Sequence, residues 1–176
     1  MAPARLLTFS AERPVEPGRY RREGFEPSFT IDVPPSWFAV QDVPGFFDLE
    51  REAGTIDVTA VQFARPSDLT SAAAATDVIR ARSGLMVAGP TAIEVGDRHG
   101  IRLVVDAADP VIETQVFVPV FEIDLGPISI ASGRRLELRL VDTSAGLLAI
   151  LIGGSVRNWD LARSAAEPIL DSIRFD

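Results

Sequence analysis

Phe29, Ile31 and Val33 alternate with Thr30 and Asp32, and Leu136, Leu138 and Leu140 alternate with Glu137 and Arg139. A two-residue period of this kind marks a strand with one face on a core and the other toward water. It recurs along most of the chain, so the fold is built around a sheet. Pro34 and Pro35 stop the first strand, because proline has no N–H for a ladder. Segments 37–41 and 46–51 are placed to pair across a turn at Pro44-Gly45, and Ile56 to Phe63 continues the meander. Further strands are predicted at 91–96 and 101–107, with His99-Gly100 at the turn between them. Residues 114–123 are apolar on both faces and read as a central strand, but Pro119 there demands a bulge or an edge. Leu147 to Ile152 is apolar throughout, as in a strand buried on both faces, and Gly153-Gly154 ends it.

Two stretches change period. Ala72, Thr76, Ile79 and Ser83 share a face over 70–83, with Ser67, Asp68 or Thr70 available as a cap and Gly84 after the end. Trp159, Ala162, Ala166, Ile169, Leu170 and Ile173 fall on one face after a possible cap at Asn158. Pro168 should kink or shorten that second helix. The expected fold class is α+β: a mostly antiparallel sheet flanked by helices at about 70–83 and 158–172, an α/β/α sandwich. Pro14, Pro17 and Gly18 lie among charges, so 1–19 reads as a flexible arm leading into one domain over 20–176.

The order of these elements, with three local stretches, resembles the PsbP-like (Mog-type) family of α/β/α sandwiches. "FTIDVPPSWFAV" at 29–40 resembles its opening strand and turn. "EVGDRHGIRLVVD" at 94–106 resembles its hairpin, and "AEPILDSIRF" at 166–175 its closing helix. Ser36 and Asp97-Arg98-His99 depart from the small residues expected at those places. The family includes photosystem assembly subunits, a small-GTPase binder, secretion chaperones and bacterial exported proteins. The resemblance therefore implies a fold and not a reaction, and most members of the family are non-catalytic.

Composition narrows the chemistry. The 176 residues suit one domain with a substantial core. A net charge of −8 disfavours nucleic acid and anionic lipid as partners. All basic residues except one histidine are arginine, so there is no Schiff-base or P-loop lysine. The absence of cysteine removes disulfides, thiol nucleophiles and sulfur-ligated zinc. No apolar run is long enough to span a bilayer. As written, the N-terminus fits a cytoplasmic protein, or an exported one without its leader; the compartment stays open.

Few residues offer a site. His99, the only histidine, can act as a general base beside Asp97, or stand as a solvated turn residue. Trp37, Phe46 and Phe47 surround a proline-rich turn and can line an apolar pocket or a partner surface with Arg98 and His99; Trp37 and Trp159 equally suit core anchors. Asp106, Asp109, Glu113, Glu122 and Asp124 lack the spacing of a calcium loop and read as a solvated acidic edge, so no metal site is expected. Gly153-Gly154-Ser155 lacks the second glycine of a nucleophile elbow, and Arg134-Arg135 can grip an anion or be solvated. No cofactor fingerprint occurs. The reading is a non-enzymatic binding or assembly module for a protein, peptide or apolar ligand. The alternatives are a small lyase, isomerase or hydrolase using His99 with a nearby carboxylate, and a structural subunit of an oligomer.

Overall fold

The computed structural model describes residues 5–6, 13–53, 57–108 and 117–176. In chain order the strands and helices are β1 (Arg5–Leu6), β2 (Arg13–Pro14), β3 (Gly18–Arg22), β4 (Phe29–Val33), β5 (Phe38–Val43), β6 (Phe46–Ala53) and β7 (Asp57–Ala64). There follow α1 (Ala72–Ala81), β8 (Leu85–Val95), β9 (Arg98–Ala107), β10 (Phe117–Ile123), β11 (Gly126–Ala131), β12 (Arg134–Thr143), β13 (Gly146–Ser155), α2 (Trp159–Asp171) and β14 (Arg174–Phe175).

Eight strands form the central sheet in the order β2-β5-β6-β7-β13-β12-β9-β8, with antiparallel pairing throughout. The chain Leu147 to Ile152 takes the middle, between β7 and β12, and is buried on both faces as its composition requires. One core lies between the central sheet and a layer made of α2 and the small sheet β1-β3-β4-β14. There Phe29, Ile31 and Val33 meet Phe47, Leu49, Val61 and Phe63. The second core lies on the other face, under α1 and the hairpin β10-β11, and holds Ile79, Leu103, Phe121, Leu138 and Leu140. These are called the α2 face and the α1 face below.

The α/β/α sandwich does not form. The described residues are 58% strand and 15% helix, with two helices and three sheets. Helix length explains the difference. The helices have 10 and 13 residues, so the longer is about 20 Å long and roughly 10 Å wide. Eight strands side by side span roughly 38 Å. Neither helix covers its face, and a small sheet completes each outer layer.

Local differences from the sequence reading have physical causes. Of the central strand expected at 114–123, residues 114–116 lie outside the described residues, and 117–123 are not central: among the described residues they pair only with β11, and the ladder shifts register between Pro119 and Phe121. The turn in the β8-β9 hairpin lies at Gly96-Asp97, so His99 sits within β9 opposite Glu94. Gly96 supplies the left-handed φ of 60° that the turn needs. β8 begins six residues earlier than expected, at Leu85, because Gly89-Pro90 is a bulge inside a strand and not its start. Of the segment expected to be an arm, Arg13–Pro14 pairs with β5 and Val15 is buried. Among the described residues, no helix is long and apolar enough to cross a membrane.

Candidate functional site

The aromatic group around the Pro44-Gly45 turn is divided between the two cores. Phe46 and Phe47 are adjacent in β6, so their side chains point to opposite faces. Phe47 and Trp37 are fully buried on the α2 face, and Phe46 is buried on the α1 face. Phe46 alone lines an open cleft of about 240 Å³, with Pro44, Arg65, Ile123 and Leu125. Trp37 is a core anchor whose indole N–H has no hydrogen-bond partner among the described residues. Arg22 spans the same region: it pairs with Asp42 and lies over the rings of Phe25 and Phe47.

His99 projects into solvent. Its side chain is 94% exposed, and Nδ1 is 3.9 Å from a carboxylate oxygen of Glu94, itself 76% exposed. That exceeds hydrogen-bond distance, and no hydrogen bond joins His99 to Asp97 in the exposed turn. Arg98 turns away from both and stacks over Phe175 at 4.9 Å. The hairpin therefore supplies no shielded acid–base pair. Ser155 has a structural task. Its hydroxyl donates to Asp57 and accepts the Asn158 N–H at 3.2 Å, fixing the turn from β13 into α2. Burial pushes the Asp57 carboxyl up, but bonds from Ser155 and Asn158 and the charge of Arg134 outweigh it and hold it below the ordinary carboxylate value. Arg134 is thus engaged, and Arg135 is held by both oxygens of Asp106 and lies near the Trp159 ring. Asp109 and Glu113 lie outside the described residues; Asp124 is exposed and Glu122 half-buried. Among the described residues no three His, Cys, Asp or Glu side chains gather where a metal could be held.

A different place carries the features of a binding surface. α2 packs over β13 and β7, which leaves the α2 face of β12, β9 and β8 beside it as a shelf. One wall is the flank of α2, where Trp159, Arg163 and Glu167 recur at steps of four. That flank is anchored by charge. Glu137 is 1% exposed and takes Arg139 Nε at 3.0 Å and Arg163 Nε at 3.7 Å, while Arg163 and Arg139 also face Glu167. The alternation that suggested a solvated Glu137 is correct in period, but its polar side is roofed by the helix. At one end Ile173 and Phe175 close against Gly96 and Arg98. The other end opens beside a cleft of about 330 Å³ at the start of α2, lined by Arg135, Val156, Arg157, Trp159 and Leu161. Val156 and Leu161 are both exposed there.

The outer rim of the shelf is β8. Its eleven residues form one edge of the central sheet, and among the described residues no strand pairs with its far side. The opposite edge is only the two residues of β2. On the shelf side β8 presents Met86, Ala88 and Thr91, all exposed, next to half-buried Asp106, Val104 and Arg102 of β9. The bulge at Gly89-Pro90 divides this rim in two. Gly89 has φ 105°, and a side chain there would meet the Arg102 carbonyl at 2.8 Å, so only glycine fits. Sequence reasoning passed over this strand because proline and glycine hid it; a proline at an edge is nevertheless what an edge tolerates.

No protein-family profile and no curated protein matches the chain. Among solved structures it is similar to LpqN of Mycobacterium tuberculosis, described as involved in cell envelope biogenesis, with a TM-score of 0.47 and 10% identity over 93% of this chain and 89% of that one. It is also similar to a protein of Bacteroides thetaiotaomicron VPI-5482, with a TM-score of 0.44 and 10% identity over 92% of this chain. The match spans about half of that second protein, 49% of its length.

Proposed function

We propose that this chain is a non-catalytic binding module that takes an extended peptide or protein segment along the β8 rim of the shelf. The observation that supports it is the eleven-residue edge strand, exposed over most of its length and flanked by an open sheet face. An unpaired edge offers a row of backbone donors and acceptors, and an extended partner adds to it as a strand. The bulge at Gly89-Pro90 limits how long a partner can pair in one register, which protects the edge against unlimited self-pairing. His99 is solvated and Ser155 is engaged in the turn from β13 into α2, so neither is set as a base or nucleophile at this surface.

Selection of random peptides displayed on phage against the immobilised chain tests the reading. Binders are expected, and they should slow hydrogen exchange of backbone amides within 85–95. Binders that leave those amides unchanged would place the recognition surface elsewhere and sink this function.

A further inference from the structure

We propose that the Thr91–Val95 half of β8 takes an acidic extended segment as an added strand, with a carboxylate on the α2 face held by Arg102. This rests on the binding reading above and adds the chemistry of the partner.

The argument begins with register. Arg102 of β9 stands directly opposite Arg139 of β12. Like charges at directly opposed positions repel. Arg139 is compensated by Glu137 and Glu167. Arg102 is not: it is half-buried, and its side chain has no hydrogen bond, ion pair or ring contact among the described residues. The nearest acid in the pattern, Glu137, already has one oxygen on Arg139 and the other on Arg163. Arg102 is therefore a guanidinium beside a second guanidinium, on an open face, without an anion of its own among the described residues.

Only Thr91 separates Arg102 from the rim. A strand added to β8 places a residue opposite Thr91 about 10 Å from the Arg102 backbone, two strand spacings away. An arginine and a glutamate side chain together bridge that gap, and the planar fork of arginine suits a carboxylate. The other face selects against acid. Glu94 and His99 lie opposite each other there, and both are strongly exposed. An acidic residue on that side would meet the Glu94 carboxylate. The expected segment therefore alternates, with carboxylates on one face and neutral residues on the other. The net charge of −8 does not forbid it. Long-range repulsion is screened beyond about 8 Å at physiological salt, so the local arginine decides.

Two synthetic peptides test this, one alternating threonine with glutamate and the other threonine with glutamine. Titration is followed by the backbone amide resonances of the intact chain at physiological salt, where the net charge is screened. The glutamate peptide should perturb 91–95 and bind about tenfold more tightly than the glutamine peptide, the effect of one charge-assisted contact. Arg102→Gln should erase that difference while leaving the glutamine peptide's affinity unchanged. The variant loses no side-chain bond among the described residues, so it should fold; Arg102→Lys should keep part of the preference. Equal affinities for the two peptides overturn the acidic preference but leave strand addition standing. Binding of neither also overturns this inference, whereas the phage selection judges the binding reading separately. Protection of 91–95 in the free chain that fades on dilution would name a second copy as the occupant, and overturn the proposal as well.

Discussion

Two carboxylates are buried on opposite faces of the central sheet, and the sheet treats them differently. Glu137, on the α2 face, lies between Arg139 and Arg163, and those arginines tie the helix to the strand. Asp48, on the α1 face, is 6% exposed and accepts a single bond from Gln62 at 2.9 Å; its other oxygen has no hydrogen-bond partner among the described residues. Burial pushes the Asp48 carboxyl up to about 7, opposed by the Gln62 bond and reinforced by the charge of Glu50. Two acids set in similar alternating strands thus have opposite roles. One acid is part of a clamp made with charge. The other is an acid whose charged form the fold disfavours. α2 is held to its face partly by ions, whereas the core under α1 is apolar apart from such isolated groups.

The comparison breaks most visibly at Arg139. Arg139→Met leaves Glu137 with only the longer contact to Arg163, and should destabilise the chain by about 4 kcal/mol, read by urea unfolding. Replacing both together, Glu137→Leu with Arg139→Met, should restore most of that loss, since removing a whole buried pair is often neutral. A single variant within about 1 kcal/mol of the parent would mean that Glu137 does not depend on its partner.

Asp48 sharpens the other half. Its carboxyl ordinarily titrates at 3.8 but near 7 when folded. Between those values the folded chain holds a proton that the unfolded chain has released. Its contribution to stability is therefore full below about pH 4, declines as pH rises, and is lost above about 7. Asp48→Asn removes the titration. Compared with the parent, the variant should gain roughly 4 kcal/mol between pH 4 and pH 8. A difference between the two proteins that stays flat with pH would show that Asp48 is well solvated when folded.

How much of this was legible beforehand follows from what a linear pattern encodes. The meander β5-β6-β7, the buried run of β13 and both helices were readable, because period and turn residues act locally. The adjacency of Phe46 and Phe47 already ruled out one shared pocket, since neighbouring strand residues point apart. The sharing of each outer layer between a helix and a small sheet was not readable, because it depends on area to be covered across the whole sheet. Arg102 was equally hidden. Nothing in its neighbours marks it; its opposition to Arg139 exists only once β9 and β12 are in register. The buried charge of Glu137 was hidden by a correct alternation, because period reports which side a residue faces and not what covers that side.

The smallest effect is expected at the start of α1, where the means of attachment contrast with those of α2. Ser71 caps that helix, its hydroxyl accepting the Ala74 N–H at 3.2 Å, and Asp142 of β12 accepts the Ala72 N–H at 2.7 Å. Two of the helix's unpaired donors are thus satisfied, one of them by the sheet itself. Ser71→Ala removes only the local bond and should cost about 1 kcal/mol. The Asp142 bond remains, so α1 should stay docked and its amides should exchange only through fraying of the first turn. Protection lost along the whole helix would show instead that the cap, and not the apolar face of Ala72, Ala75 and Ile79, holds α1 to the sheet.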